Sequence, residues 1–417
     1  MPCRRNALTR RTFLKDSVGR VGTAAVVGQG LASVGFSTTA LSVARIQGAN
    51  DRIRLGAIGT GGRTRELMRQ LAKLPGNNQV AVCDVYEPRL LQAAEVAGPG
   101  VKQYKDYRAL LDSKEVDAVV IGSPDHWHKQ MTIDAVRAGK DVYVEKPISH
   151  SIEEGAEMVR AVESSKRVVQ TGTQQRTWKH FITGKQVVDE GKLGQITLVR
   201  AYWYQNYAAR QMLPGDFSPN KLDARAWLGP AREQVVTPEK YHRWRWYWDF
   251  GGGALTDLMT HWIDVVQWYM GTPFPKTAVA HGNLYAMRWE CPDTITCYLE
   301  YPKNYSVVYD GTMTSKIDDG GIEFRGTRGT IKINRSRLAF YSEDSKNPVE
   351  PEIEIRSEED GTIAHLRNFL DCVRSRQTPT ANIRVAHEAA RASHLGNISL
   401  REQRRVRWNA EAERIES

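Results

Sequence analysis

The sequence predicts two consecutive domains: an α/β domain built on a doubly wound parallel sheet, then an α+β domain built on an open, mainly antiparallel sheet. Up to Gly172, short apolar strands alternate with helices, which is the pattern of βαβ units. Beyond that glycine the strands lengthen and few helices separate them, as in an antiparallel sheet. The 417 residues are enough for two domains of ordinary size.

Composition and charge exclude several classes of protein. With 41% hydrophobic and 25% charged residues, the chain has the composition of an ordinary globular protein. The net charge is +10, but half of it comes from the first 44 residues, where six basic residues face one acidic residue. The remainder is too diffuse to indicate nucleic-acid binding. Five cysteines without a C-x-x-C pair form neither a disulfide framework nor a thiolate zinc site.

The first 44 residues have the pattern of a twin-arginine export signal. Arg10 and Arg11 precede Phe-Leu-Lys, a weakly apolar run fills residues 21–43, and Ser42-Val43-Ala44 fits a small-x-small cleavage site. The run is too rich in Gly and Thr for a stable membrane anchor. We therefore expect a periplasmic protein that is free of the membrane once the signal is removed. The alternative is an amphipathic or disordered N-terminus that merely contains Arg-Arg.

A glycine-rich turn follows the first strand, at residues 53–58. It reads Gly59-Thr60-Gly61-Gly62-Arg63-Thr64 and matches G-x-G-x-x-G at its first two glycines, with Thr64 in the third place. Gly59 allows the tight turn, and Gly61 lets backbone N–H groups approach a pyrophosphate at the helix N-terminus. Such turns also occur without a nucleotide.

An acidic residue at the end of the next strand strengthens the nucleotide interpretation. Asp84 follows the strand at residues 79–83 and lies 25 residues beyond Gly59, where a carboxylate hydrogen-bonds the adenosine ribose. A carboxylate there repels a 2′-phosphate, so we expect NAD rather than NADP. The alternative is a strand-end turn residue.

Three further buried strands, at residues 117–122, 141–144 and 167–172, continue the parallel sheet. Two motifs lie at their carboxyl ends, where such sheets bind ligands: Ser123-Pro124-Asp125-His126-Trp127-His128, and Glu145-Lys146-Pro147. The two histidines have three interpretations: a metal pair, the first turn of a helix that Asp125 caps, or the lining of the cofactor cleft. We favour a combination of the last two and predict no metal site.

In the second domain we expect strands at residues 196–204, 278–285, 294–301, 305–312, 321–325 and 330–333, and helices at 363–375 and 385–400. Residues 401–417 form a charged tail, and residues 214–240 form an irregular lid or arm. The segment 241–248 interleaves aromatic residues with arginine. It either stacks on sugar rings or forms a packed interface between the arm and the sheet.

A helix at residues 254–268 carries the main catalytic candidates. Asp257, His261 and Asp264 are spaced to share one face. A carboxylate one turn from an imidazole fixes its tautomer and holds its pKa near neutrality, as a general base requires. The alternative is a buried histidine with an ordinary structural role.

Three elements together resemble the Gfo/Idh/MocA family, which includes glucose–fructose oxidoreductase and inositol dehydrogenase. They are the glycine turn with Asp84, the Glu145-Lys146-Pro147 motif, and Asp257-x-x-x-His261 after a triple glycine. The resemblance covers residues 52–400. It implies a Rossmann domain at 52–172 and a substrate and oligomerisation domain at 173–400. The twin-arginine leader, the Pro124–His128 motif and the sequence His394-Leu395-Gly396-Asn397-Ile398 resemble an exported bacterial subgroup.

The resemblance also implies an activity and a site. Lys146 would hydrogen-bond the reacting hydroxyl of a sugar, glycoside or cyclitol, His261 would take its proton, and Asp257 would orient and tune His261. The open face of the second sheet would form a homodimer or homotetramer. The implied NAD-binding residues are Gly59, Thr60, Gly61, Gly62, Arg63, Asp84, Ser123, Pro124, His126, His128, Glu145 and Lys146.

Export suggests that the cofactor is bound tightly and recycled on the enzyme, because we expect no useful NAD(H) pool in the periplasm. Two other functions stay open. One is NAD-dependent cleavage of a glycoside through a keto-sugar intermediate. The other is sugar binding without catalysis on the same fold.

Overall fold

The computed structural model describes residues 52–207 and 216–416. The predicted export signal lies outside these residues. Among the described helices, none is long and apolar enough to cross a membrane.

The first sheet has six parallel strands in the order β3-β2-β1-β4-β5-β6, which confirms the predicted doubly wound fold. Strand β3 was not predicted, because this short edge strand carries no apolar run. The strands are β1 (Ile53–Ile58), β2 (Asn77–Cys83), β3 (Lys102–Tyr104), β4 (Ala118–Ile121), β5 (Asp141–Val144) and β6 (Val169–Thr171).

Helices connect these strands and cover both faces of the sheet. Their apolar sides pack on the buried strands β1, β4 and β5. They are α1 (Gly62–Ala72), α2 (Glu87–Ala97), α3 (Tyr107–Asp112), α4 (Asp125–Arg137) and α5 (Ile152–Ser165), and α6 (Lys179–Asp189) leads into the second sheet.

The second sheet has ten strands in the order β14-β13-β12-β11-β7-β10-β9-β8-β15-β16. Its pairs are antiparallel except β7 with β10, so the predicted mainly antiparallel sheet is confirmed. The strands are β7 (Ile196–Tyr204), β8 (Thr277–Asn283), β9 (Thr294–Tyr301), β10 (Tyr305–Thr312), β11 (Gly320–Gly326), β12 (Gly329–Ile333), β13 (Arg337–Ser342), β14 (Ile353–Arg356), β15 (Val406–Asn409) and β16 (Arg414–Ile415). The last four were not predicted.

The arm between β7 and the catalytic-candidate segment is partly regular. It contains a 3-10 turn (Pro219–Lys221), α7 (Ala224–Leu228) and α8 (Pro238–His242), followed by a second 3-10 turn (Trp244–Trp246). Trp227 and Tyr241 are buried there against the rest of the molecule. The described part of the arm, from residue 216 onward, is therefore a packed wall of the site described below.

The helix predicted at residues 254–268 has two parts: a π-helical turn (Leu255–Met259) and then α9 (Thr260–Met270). It lies between the second sheet and the C-terminal helix α11 (Ile383–Glu402). The Trp262 indole donates to the carbonyl of Tyr202 at 3.0 Å, and the hydroxyls of Thr260 and Ser393 are 2.8 Å apart. These two hydrogen bonds help to hold the helix so that Asp257 and His261 lie at the carboxyl edge of the first sheet.

Helices from the C-terminal part of the chain also cover the first sheet. Helix α10 (Gly361–Ser375) brings Leu366 and Phe369 into the core around Tyr143. The start of α11 adds Ile383 on the other side, beside α5. The packing therefore joins the two predicted domains into one unit that spans the described residues.

Candidate functional site

The turn between β1 and α1 is shaped by its glycines. Gly59 has a φ of +70°, and a Cβ at this position would lie 2.6 Å from the backbone nitrogen of Ser123. Gly62, the first residue of α1, faces open space, with nothing within 4 Å of a Cβ. Thr64, at the third glycine position, donates its hydroxyl to the Gly59 carbonyl at 2.6 Å. A threonine thus closes the turn and leaves the helix N-terminus open.

Asp84 lies at the end of β2 beside this turn. Its carboxylate accepts hydrogen bonds from the Thr60 N–H at 2.7 Å, the Thr60 hydroxyl at 3.1 Å and the Tyr86 N–H at 2.9 Å. Burial raises the pKa of Asp84, and these hydrogen bonds offset only part of that effect. Thr60, expected to contact a cofactor, holds Asp84 in place.

These groups border a cavity of about 250 Å³, here called the glycine-turn cleft. The arm forms its opposite wall, through residues that include Trp227 and Tyr241. An open helix N-terminus with a carboxylate beside it fits the pyrophosphate and ribose of a dinucleotide. The predicted cofactor residues that line this cleft are Gly59, Gly61, Gly62, Arg63, Asp84, Ser123 and Pro124.

A second cavity of about 470 Å³ adjoins the first and shares Ser123, Trp244 and Arg245 with it. We call it the lysine cleft, after Lys146. It lies between the carboxyl edge of the first sheet and the π-helical turn. The predicted residues that line it are Arg63, Ser123, Asp125, His128, Glu145, Lys146, Asp257 and His261.

Lys146 and Asp257 form the polar centre of the lysine cleft. The Lys146 ammonium donates to the Asp257 backbone carbonyl at 2.6 Å and to its carboxylate at 2.7 Å. Arg245 donates to the same carboxylate oxygen at 3.1 Å. Burial opposes ionisation of Asp257, but the two cations outweigh it and lower its pKa. The centre is therefore a carboxylate held between two cations.

His261 lies beside this centre, but Asp257 does not orient it as expected. The His261 Nε2 is 3.4 Å from an Arg335 nitrogen, its ring packs on Trp203, and its Nδ1 has no hydrogen-bond partner among the described residues. Asp257 binds the cations instead, because a charged donor attracts a carboxylate more strongly than a neutral imidazole does.

The expectation of a near-neutral pKa for His261 was also wrong. Burial and the charges of Lys146, Arg335 and Arg63 lower it well below its usual value. The third member of the predicted face, Asp264, is turned away and binds Arg176, whose Nε lies 2.8 Å and 2.9 Å from its two carboxylate oxygens. His261 is a neutral imidazole in a positive field.

Glu145 lies in the wall of the lysine cleft, next to Lys146 in the chain. Its carboxylate accepts from the Arg63 guanidinium at 2.8 Å. Burial opposes its ionisation, but Arg63 and Lys146 lower its pKa. A Cβ on Gly172 would lie 2.7 Å from this carboxylate. Glu145 is thus an anion packed between Arg63 of α1 and Gly172, which follows β6.

The two histidines at the start of α4 have different surroundings. His126 packs against Phe250 and Trp227, contacts the Trp227 carbonyl at 3.1 Å, and lines neither of the two clefts formed by the described residues. His126 was predicted to line the cofactor cleft, but it lies instead at the interface with the arm. His128 lines the lysine cleft, with its ring nitrogens 2.7 Å and 3.0 Å from the carbonyls of Pro147 and Ser123. Burial lowers the pKa of each to about 4.

Asp125 is not the N-cap predicted from the sequence. Helix α4 begins at Asp125 itself, and its N-cap is Pro124. The Asp125 carboxyl lines the lysine cleft. Among the described residues, no group of His, Cys, Asp and Glu is arranged to hold a metal ion.

Several residues that line the lysine cleft were not predicted, among them Arg335 and Trp203, and the role of Arg245 was left open. Arg335, in the turn between β12 and β13, and Trp203, on β7, reach His261 from the second sheet, and no motif marks them. Arg245 lies in the aromatic segment 241–248, for which sugar stacking and packing were both left open. Trp246 is buried against Trp289 as packing, whereas Arg245 and its neighbour Trp244 face both clefts.

Comparison with protein-family models gives two adjoining matches. The model of the oxidoreductase family with an NAD-binding Rossmann fold, Gfo/Idh/MocA, matches residues 53–173. The GFO/IDH/MocA C-terminal domain model matches residues 181–332. Together the two models of this one family cover well over half of the chain.

Curated relatives align with part of the chain. Inositol 2-dehydrogenase of Salmonella paratyphi B is 30% identical over 154 residues, which are 36% of this chain and 46% of that protein. A glycosyl hydrolase family 109 protein of Parabacteroides distasonis is 33% identical over 172 residues, which are 38% of this chain and 36% of that protein. The chain thus spans about half, or less, of the length of these relatives.

Among solved structures, levoglucosan dehydrogenase in complex with NADH and levoglucosan has the same fold. The TM-score is 0.70 at 18% sequence identity, and the match covers 85% of this chain and 99% of that chain.

Proposed function

This chain belongs to the Gfo/Idh/MocA family of NAD-binding oxidoreductases, and on that basis we propose that it transfers a hydride between a nicotinamide cofactor and a secondary hydroxyl of a sugar, glycoside or cyclitol. The observation that carries the proposal is the lysine cleft. There a partly buried ammonium, held by Asp257, and a neutral imidazole line one cavity that adjoins the glycine-turn cleft.

The glycine-turn cleft supplies the place for NAD. Gly59, Gly61 and Gly62 would hold the pyrophosphate at the N-terminus of α1, and Asp84 would accept hydrogen bonds from the ribose hydroxyls. When bound, the nicotinamide accepts the hydride from the alcohol carbon or returns it to the ketone.

Lys146 would bind and polarise the reacting oxygen. Its ammonium has three N–H donors, and Asp257 takes two of them among the described residues. The third remains for a substrate oxygen. A cation at this place favours the developing alkoxide over the alcohol.

His261 would take the hydroxyl proton. Its pKa is lowered, which favours the neutral imidazole, the form that can accept a proton. The same cations that lower its pKa, Lys146 and Arg335, also ease ionisation of a bound hydroxyl. One base, one cation and one hydride acceptor are what oxidation of a secondary alcohol requires.

The test is a Lys146→Met variant, with Lys102→Met as a control at an exposed surface ion pair. NADH formation is followed with NAD and a panel of D-glucose, methyl α-D-glucopyranoside, levoglucosan and myo-inositol. We expect wild type and the control to react with a member of the panel. We expect Lys146→Met to bind the sugar and to lose hydride transfer. Unchanged transfer in that variant would refute the proposal.

A second candidate is redox-neutral cleavage of a glycoside through a keto-sugar intermediate. The similarity to the glycosyl hydrolase family 109 protein favours it. It predicts release of nitrophenol from p-nitrophenyl glycosides without net NADH. Release that depends on His261 but leaves no NADH would support cleavage. NADH formation without release would support the dehydrogenase. Sugar binding that persists without either reaction would indicate a binding protein.

We also propose that residues 1–44 direct export by the twin-arginine pathway and that the mature protein keeps its NAD. A pathway that carries folded proteins suits a chain that must bind its cofactor before export. Purified mature protein should release about one equivalent of NAD(H) per chain when denatured, measured by mass spectrometry. Release of no nucleotide would show that the cofactor exchanges freely.

We further propose a homodimer or homotetramer formed through the open face of the second sheet. Leu198 lies on the central strand β7 and is 36% exposed, as an apolar residue on a contact face would be in an isolated chain. Light scattering at several concentrations tests this, and a monomer at all of them would contradict it.

A further inference from the structure

Asp125 is a buried acid with no structural partner assigned to it. It is 2% exposed, and its Oδ1 has no hydrogen-bond partner among the described residues. It does not cap its helix, because α4 starts at this residue. It lies in the wall of the lysine cleft, on the side formed by the β4–α4 loop. A buried polar atom without a partner costs stability, which suggests that its partner is a ligand of this cleft.

The surrounding charges make an ionised Asp125 unfavourable. Its carboxyl is close to Asp257 on the π-helical turn and to Glu154 on α5, both acidic. The cations near it are Lys146, which follows β5, and Arg245 on the second 3-10 turn. Both are bound to Asp257, at 2.7 Å and 3.1 Å. Two carboxyls thus share one cavity, and one of them holds the cations.

The two carboxyls accordingly differ in charge state. Burial and the charge of Asp257 raise the pKa of Asp125 well above its usual value, whereas the two cations lower the pKa of Asp257. The N-terminus of α4 favours an anion at Asp125, but burial outweighs it. Environments that push the pKa values of neighbouring carboxyls apart assign one as a proton donor and the other as an anion.

We propose that Asp125 binds the substrate as a neutral carboxylic acid, donating its O–H to an acceptor oxygen of the sugar in the lysine cleft. A protonated carboxyl is a hydrogen-bond donor, and its ionised form only accepts. Substrate binding therefore requires Asp125 to be protonated. This inference rests on the proposed function, since it needs a sugar in this cleft. It makes Asp125 a determinant of affinity and of its pH dependence.

The test compares Asp125→Asn, which keeps a neutral donor of similar shape, with Asp125→Leu, which has none. The control is Asp371→Asn, at an exposed ion pair with Arg374 that lies outside both clefts. Each NADH-loaded protein is titrated with the best sugar of the panel by calorimetry. Titrations are made at several pH values and in two buffers of different ionisation enthalpy, so that proton uptake is measured directly.

For wild type and the control, we expect affinity to fall as the pH rises through the pKa of Asp125, with uptake of a proton on binding above it. In Asp125→Asn, affinity should no longer depend on this ionisation and the uptake should vanish. Asp125→Leu should bind about tenfold to hundredfold more weakly at low pH, as for loss of a buried hydrogen bond.

Two results would overturn the role of Asp125 while leaving the proposed function intact. One is proton uptake and pH dependence in Asp125→Asn equal to those of wild type. The other is Asp125→Leu binding the sugar as tightly as wild type. Wild-type protein that binds no sugar of the panel would instead overturn the proposed function, and this inference with it. NADH binding by each variant shows that it is folded.

Discussion

The ion pair between Arg176 and Asp264, on α9, was not predicted from the sequence. Asp264 was expected to share a helix face with His261, but it is fully buried and bound to Arg176 through both carboxylate oxygens. Asp264→Asn leaves a guanidinium that is only 10% exposed without its anion. Removing one partner of a buried ion pair costs about 3–5 kcal/mol.

For a protein of this size, that cost lowers the melting temperature by about 4–6 °C. Differential scanning calorimetry of the NAD-loaded protein measures the shift. Asp371→Asn, which removes an exposed ion pair with Arg374, is the control and should unfold within about a degree of wild type. Replacing both buried partners, as Arg176→Met with Asp264→Leu, should recover part of the loss.

The second readout is the pH profile of kcat/KM. Because Asp264 does not contact His261, Asp264→Asn should leave the acid limb of the profile where it is in wild type. A variant that melts like wild type and shifts the acid limb would refute the ion pair between Asp264 and Arg176. It would indicate instead that Asp264 interacts with His261.

The other predictions concern the two clefts. Arg335→Met removes a cation beside His261, so the pKa of His261 should rise, and the acid limb of kcat/KM should move to higher pH. Gly59→Ala forces a side chain against the Ser123 backbone at a φ of +70°, so the purified variant should release less NAD(H) than wild type and melt at a lower temperature. The folded pKa of Asp125 is raised, so its ionisation destabilises the folded protein as the pH rises above the unfolded value of about 4. Asp125→Asn should therefore melt increasingly above wild type as the pH rises through this window, and a constant difference would contradict it.

Much of the fold could be predicted from the sequence, because apolar periodicity and glycine turns act locally. The strands Thr294–Tyr301 and Tyr305–Thr312 alternate buried with less buried positions, and both were predicted to the residue. The missed strand β14 alternates over only four residues, and β16 has only two. They are short edge strands that exist because a neighbouring strand pairs with them.

The sequence predicted which residues form the site better than it predicted which of them contact each other. Spacing places Asp257 and His261 one turn apart, but it does not show which cations compete for the carboxylate. Lys146 and Arg245 reach Asp257 from positions 111 and 12 residues away in the chain. Arg335 comes from the second sheet, where no motif marks it. The hydrogen bonds of Asp257 are therefore set by cations from elsewhere in the chain, which the local spacing of residues in a helix does not predict.

The packing of helix α10 on the first sheet has a consequence for the synthesis of the chain. Phe369 packs edge-on against Tyr143 of β5, with ring centroids 5.8 Å apart, and the Gln170 amide on β6 donates to the His365 carbonyl at 2.8 Å. The sheet that carries the glycine turn is therefore completed by segments translated almost 200 residues later. During synthesis on the ribosome, the apolar face around Tyr143 stays exposed to water until α10 emerges. The nascent chain then needs protection from aggregation for most of its translation.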